Sequence, residues 1–209
     1  MKIELNIDII KGMRSAYTSR DFKNAKKDLE DAGYGIVSLE QMAQLSIQEG
    51  KDSFIAKNGN WTREGFIYIP KKGAFLTKNS PIMTSVEEAS NCVDYHKQFY
   101  PTSEQVEKAL EDSCKITNKV IPTSRLAEEE LTVYAFGKQA KNYGEFLKEA
   151  GIKNLNIYTA NMQDKPFAMQ AWLGLERNFY LNGHGRGRGG RGYSGGLAWE
   201  QVARGTKIK

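Results

Sequence analysis

Histidine and cysteine are scarce, with two of each in 209 residues. Cys92 and Cys114 make neither a metal quartet nor a dense disulfide framework, and a free cysteine is ordinarily a buried thiol. Both are expected to be reduced. His96 and His184 stand in no metal-ligand spacing, and no Ser or Cys lies in a nucleophile-elbow pattern. The carboxylate runs EEASN and AEEEL read as solvated helix faces. No catalytic residue, metal or cofactor is therefore predicted. Long apolar runs are missing too. Nothing reaches the ~18 residues a membrane-crossing helix needs, and Glu4 and Asp8 break the apolar start MKIELNIDIIKGM too early for a secretory signal. Neither a membrane span nor an export signal is expected, and the sequence names no compartment.

What is present points to a folded core. Apolar residues make up 40% and aromatics 11% of the chain, far from the composition of disordered segments, and a single domain over residues 1–209 is the simplest organisation. The charge is unevenly placed. Through Glu176 there are 23 Lys and Arg against 24 Asp and Glu; from Arg177 onward there are seven against Glu200 alone, so net charges of −1 and +6 make up the total of +5. The C-terminal segment is the one that steers acidic partners.

Several stretches announce their own secondary structure. TSRDFKNAKKDLEDAG (18–33) predicts an amphipathic helix with Thr18 or Ser19 as cap, Phe22, Ala25 and Leu29 on one face, and Gly33 as the stop. SLEQMAQLSIQEG (38–50) carries the reciprocal Ser38 and Gln41 cap, with Gly50 at its end. WTREGFIYIPKKGAFLT (61–77) predicts a hairpin around PKKG. TSVEEASNCVDYHKQF and SEQVEKALEDSC each predict a helix opened by a capping Ser, the second stacking Val106, Leu110 and Cys114. One or two helices are expected between Ser124 and Gly151, with Tyr143, Phe146 and Leu147 inward, followed by a strand over KNLNIYTA. Helices thus fill the middle and strands bracket them, which is an α+β pattern.

The segment GHGRGRGGRGYSGG (183–196) fits none of these elements. It lacks the Lys-Ser/Thr ending of a phosphate loop. Arg186, Arg188 and Arg191, spaced by glycine near Tyr180 and Tyr193, suit phosphate contact and base stacking, so an RNA-binding protein using residues 183–196 is one reading. The apolar Leu197, Trp199 and Val202 that follow predict an insert anchored at both ends rather than a free tail. A second reading starts from residue identity. From Asn178 to Gly196 every residue is Asn, Phe, Tyr, Leu, Gly, His, Arg or Ser, while Lys, Glu, Gln, Met and Trp are missing. Those present all have codons ending in a pyrimidine; those missing have none. Random replacement of the adenines of asparagine codons leaves such a set.

With NMQDKPFAMQAWLGL before the run and QVARG after it, the chain resembles the variable proteins of diversity-generating retroelements, in particular the group of small archaea and their viruses. AGYGIVSLEQMAQL, KNGNWTREGFIYIPKKGAFLTKNSP and LTVYAFGKQAKNYGEFLKEAGI look like that group's framework. The resemblance implies a C-type lectin-like fold with helical framework and short antiparallel strands. It also implies a non-enzymatic binding role for a variable region over residues 174–200, whose ligand is a macromolecule, protein or glycan. By position, Phe167, Ala168, Gln170, Trp172 and Leu173 would lead into that region as fixed framework, and Val202, Arg204 and Gly205 would leave it. Met169 and Ala203 depart from the arginines the family implies. The varied, ligand-binding residues would be drawn from Asn178, Phe179, Tyr180, Asn182, His184, Arg186, Arg188, Arg191, Tyr193 and Ser194. A weaker third reading is an enzyme like the lectin-fold oxidases that use cysteine, for which Cys92 and Cys114 are the available thiols. Such residues as tyrosine, asparagine, serine, glycine and arginine are the ones that antigen-binding loops favour.

Overall fold

A computed structural model of the chain describes residues 4–6, 15–18, 20–53, 59–94, 97–174, 179–183 and 202–207. After strands β1 (Glu4–Asn6) and β2 (Ser15–Thr18) comes helix α1 (Phe22–Asp31). Its cap is Asp21, whose carboxylate accepts from the Asn24 amide at 3.1 Å, not Thr18, and Ser19 lies outside the described residues. Thr18 is still paired in the sheet, so the chain is free to turn into a helix only after it. Phe22, Ala25 and Leu29 are buried as expected, and Gly33 follows the helix at φ +80°.

Strand β3 (Tyr34–Ile36) leads to α2 (Leu39–Glu49). The Ser38 hydroxyl accepts from the Gln41 amide at 3.1 Å and the Gln41 side chain accepts from the Ser38 amide at 2.8 Å, the reciprocal cap the sequence predicts. A second acceptor sits at the same helix start. The Glu64 carboxylate, 2% exposed, accepts from the Leu39 amide at 2.9 Å. Burial raises the Glu64 carboxyl above the ordinary carboxylate range, outweighing the hydrogen bonds and the nearby Arg63 charge that lower it. The folded state therefore keeps this proton to higher pH than the unfolded chain does. The associated stability is complete below the unfolded value and is lost as pH rises through the folded one. Glu64→Gln keeps an oxygen for Leu39 without the buried charge. Its stability advantage over the parent is expected to grow from acid to neutral pH, seen as a flatter plot of Tm against pH; two parallel plots would contradict this.

Strand β4 (Asn60–Ile69) forms the expected hairpin with β5 (Gly73–Thr77), turning through Lys71 at φ 64°. Helices α3 (Pro81–Thr84), α4 (Val86–Asp94) and α5 (Ser103–Glu111) follow. The Ser85 carbonyl accepts from the Ala89 amide at the start of α4, while its hydroxyl accepts from the Gln105 side chain at 2.7 Å. Thr102, not Ser103, caps α5, in a second reciprocal box with Gln105. Cys114 does not continue the α5 stripe. It lies in β6 (Ser113–Ile116) and packs in a different cluster from Val106 and Leu110. Next come β7 (Lys119–Pro122), α6 (Glu130–Phe136), α7 (Ala140–Glu149), β8 (Asn154–Tyr158), β9 (Phe167–Gly174), β10 (Phe179–Asn182) and β11 (Val202–Lys207). Beyond the predicted hairpin, strands β6 and β7 also occupy the middle of the chain; at four residues each they are too short for their alternation to stand out in the sequence.

All eleven strands of the described residues join one sheet, ordered β1-β2-β11-β4-β9-β10-β8-β7, with β3 beside β11, β5 beside β4 and β6 beside β5. Successive strand residues face opposite sides, and β9 shows this plainly. Phe167, Met169, Ala171 and Leu173 enter one apolar cluster; Ala168 and Trp172 enter another. Helices α2, α6 and α7 cover the first face, contributing Met42, Leu45, Phe136, Tyr143 and Leu147. On the second face α1 and α4 cover β2, β3, β4 and β9 around Phe22 and Trp61, whose rings meet edge to face at 5.1 Å. Helix α5 covers Ile67 and Ile69 of β4. Among the described residues no helix lies over the second face of β10, β8 and β7.

Candidate binding face

The exposed face can be read row by row from the strand register. Val120 of β7 pairs with Asn156 of β8, Asn156 with Tyr180 of β10, and Tyr180 with Gly174 of β9. The neighbouring row runs through Lys119, Ile157, Leu181 and Leu173. Paired residues share a face, and burial separates the two rows. Ile157, Leu181 and Leu173 are buried in the main core, whereas Val120 is 60% exposed and Asn156 half-buried. Pro122 and Asn154, paired to each other, are exposed, and Tyr158 is half-buried. This face of β7 and β8 therefore consists of Val120, Pro122, Asn154, Asn156 and Tyr158, with no charge among them.

Of the sequence-predicted ligand residues, three fall in β10. Tyr180 and Asn182 hold register positions on the uncovered face, Asn182 opposite Tyr158 and Trp172. Phe179 holds a position in the row of Leu155 and Ile121, both buried. Asn178, His184, Arg186, Arg188, Arg191, Tyr193 and Ser194 lie outside the described residues, as does His96. The expected framework on either side of them is strand: Phe167 to Leu173 in β9, and Val202, Arg204 and Gly205 in β11. The arginine-glycine run thus starts at the end of β10 and is followed in the chain by β11 of the same sheet, while Leu197 and Trp199, which come after the run, are not among the described residues.

Sequence reasoning missed how firmly the start of the run is held. Gly183 is buried; its amide donates to the Tyr158 carbonyl at 3.0 Å, and its carbonyl accepts from the Tyr68 hydroxyl at 3.0 Å. The same hydroxyl accepts from the Ala160 amide at 3.0 Å. Tyr68 is itself clamped in an aromatic column, with Phe167 4.4 Å and Phe66 6.4 Å away between ring centres. The exit of β8 is fixed as well, because the Asn118 side chain accepts from the Thr159 amide at 2.6 Å and from its hydroxyl at 3.0 Å. At the β9 edge of the face, the half-buried Trp172 indole occupies the space a Cβ at Gly59 or Gly174 would need, approaching within 1.4 Å and 2.3 Å of those positions. A side chain at Gly174 would have to displace that indole.

Other chemistry is sparse. Cys92 is half-buried and Cys114 buried, both free, and burial raises both thiols, whereas a reactive cysteine needs a lowered one. Among the described residues no group of His, Cys, Asp and Glu is placed to hold a metal ion, and no helix is long and apolar enough to cross a membrane.

This arrangement has a counterpart among solved structures. A structure from Nanoarchaeota, described as the accommodation of massive sequence variation by the C-type lectin fold, superposes with a TM-score of 0.66 over 96% of this chain and 99% of its own, at 16% sequence identity. The fold is that of a C-type lectin. No protein-family model matches the sequence, and no curated protein does. In this C-type lectin fold, β11 joins the early strand β2 to the central β4, pairing antiparallel with the first and parallel with the second. The chain that follows β10 therefore leaves from one interior strand of the lectin sheet and returns to another.

Proposed function

We propose that the protein is a non-enzymatic ligand-binding protein of one domain over residues 1–209, in which residues 174–200 form a surface diversified by a retroelement. One observation carries the reading: β10, the part of the compositionally restricted segment that the structure describes as strand, lies in the stretch of sheet that no described helix covers. A position that tolerates many side chains cannot supply folding energy, and here the buried rows and two helical layers supply it instead. The restricted residue set and the Nanoarchaeota structure described as accommodating massive sequence variation support the same reading. The raised thiols of Cys92 and Cys114 support a binding rather than an oxidase role. The displayed residues are drawn from Asn178, Phe179, Tyr180, Asn182, His184, Arg186, Arg188, Arg191, Tyr193 and Ser194, of which Phe179 shares the register row of Leu155.

Ligands found by glycan array or by selection from a random protein library are expected to lose at least tenfold in affinity when Tyr180, Arg186 and Tyr193 are jointly replaced by Ala. Unchanged binding would remove this surface from the proposal. The neighbouring DNA is expected to hold a reverse-transcriptase gene and a near-copy of the end of this gene that differs only at adenines. The spacing of Arg186, Arg188 and Arg191 favours RNA as a second reading. It predicts sequence-tolerant binding to mixed RNA that collapses as salt rises.

A further inference from the structure

Resting on the reading above, we infer that Tyr68 is a positioning residue of the binding surface. Its buried hydroxyl fixes where the restricted segment leaves the sheet, and does so through backbone atoms that no exchange of displayed side chains removes. Strands β10 and β8 pair in parallel, so their continuations leave at the same end of the sheet. The two exits meet on one oxygen. The Tyr68 hydroxyl donates to the Gly183 carbonyl at 3.0 Å and accepts from the Ala160 amide at 3.0 Å. The ring that carries it has no room to swing, being fully buried and stacked on Phe167 at 4.4 Å with an interplanar angle of 5°. Burial also pushes the phenol above its ordinary value, so the proton it donates to Gly183 stays in place at neutral pH.

A tyrosine here does something a phenylalanine would not. Phenylalanine would fill the same aromatic column with no hydroxyl to take out of water, a step that costs free energy unless the group is hydrogen-bonded. Both hydrogen bonds of this hydroxyl go to the exits. Tyr68 lies in β4, 115 residues before Gly183 and outside residues 174–200, so it stays the same whatever the displayed residues become. Apparent affinity falls with the fraction of molecules in the binding-competent arrangement, and ordering a segment on binding costs affinity. An anchor from beneath meets that cost before the ligand arrives. It acts alike for every displayed sequence, because the atoms it holds are a carbonyl and an amide.

The test is Tyr68→Phe in the full chain, which keeps the ring and removes the oxygen. Amide hydrogen exchange reads the anchor without a ligand. The Ala160 amide is expected to exchange about tenfold faster in Tyr68→Phe, and to keep its parent rate when Tyr180 and Asn182 are both replaced by Ala. For binding, the probes are small folded domains selected on the parent protein from a random display library and weakened by that double replacement. Tyr68→Phe is expected to weaken them about five- to tenfold, chiefly through faster dissociation. Thr132→Ala is the control for a general loss of stability. It deletes another buried hydroxyl, which donates to the Leu126 carbonyl at 2.5 Å, and is expected to lower Tm while leaving both readouts unchanged. If circular dichroism shows Tyr68→Phe unfolded, Asn118→Ala decides instead. That exposed change removes the acceptor of the Thr159 amide and hydroxyl at the same exit and is expected to move exchange and affinity in the same direction. Unchanged exchange or unchanged affinity in the deciding variant would overturn the inference and leave the display surface standing. Absence of any domain weakened by the Tyr180 and Asn182 replacement would overturn that surface and the role of Tyr68 with it.

Discussion

Replacing Leu181 with serine is expected to cost the protein roughly 3–6 kcal/mol, while the same replacement two neighbours along at Tyr180 and Asn182 is expected to cost under about 1 kcal/mol each. Leu181 is fully buried in the main core between Ile157 and Leu173. Truncation there loses transfer energy, leaves a void, and buries a hydroxyl with no assured partner. Tyr180 and Asn182 hold the alternate positions of the same strand, on the uncovered face. Urea unfolding separates the cases: Leu181→Ser is expected to lower the midpoint with m unchanged, which for a chain of this size corresponds to a Tm loss on the order of 10–20 °C. The reverse pattern, with Tyr180 critical and Leu181 tolerant, would mean that β10 is paired one residue out of register, since a single-residue slip exchanges the two faces of a strand. The display surface would then be turned into the core.

The second large effect is expected at Gly183. A Cβ added there lies 2.3 Å and 2.4 Å from the Cγ and Cδ1 of Phe66 and 2.7 Å from the Tyr68 hydroxyl. Neither ring has room to move, because both are fully buried and stacked in the column that ends on Phe167. Gly183→Ala is expected to cost about 1–3 kcal/mol as overpacking, and Gly183→Val more. The larger side chain also displaces the Tyr68 hydroxyl from the Gly183 carbonyl and the Ala160 amide, leaving buried backbone groups unpaired. Because the strain is against one ring, Phe66→Leu is expected to recover part of the loss, giving a coupling of about 1 kcal/mol or more in a double-mutant cycle. Additive effects of the two changes would show that something other than Phe66 opposes the side chain. Gly183 is the first residue of the arginine-glycine run, so the result also tells where tolerance begins.

Many local signals were legible, although the caps of α1 and α5 are Asp21 and Thr102 rather than the residues the sequence suggested. The Ser38 and Gln41 cap of α2, the PKKG turn, and the inward stripes of α1 and α7 all depend on residues within four of each other, and Gly33, Gly50 and Gly151 stop their helices through positive φ. The alternation of NLNIY, with Leu155 and Ile157 buried and Asn154 exposed, was legible in the same way. The end of α5 was not. Val106, Leu110 and Cys114 keep helical spacing, yet the chain leaves the helix at Asp112. There its carbonyl accepts from the Tyr134 hydroxyl at 2.6 Å, from the Lys78 amide at 3.1 Å and from the Thr77 hydroxyl at 3.1 Å. Those partners lie 22 to 35 residues away, and no window of sequence contains them. The shift of the α1 cap from Thr18 to Asp21 has the same origin, the pairing of Thr18 with Ala203 of β11.

The sequence by itself determined the α+β class, several helix limits, and the segment where composition is restricted and positive charge collects. These follow from residue identity and short-range spacing. Only the tertiary structure decided the register of β10, that Leu181 and Gly183 inside the restricted segment are buried, and that β8 pairs with β10 and β7 with β8. The reason is that a strand has no buried side of its own: the register with Ile157 and Leu173, and the choice of which half of the sheet the helices leave bare, set the position of each of its residues.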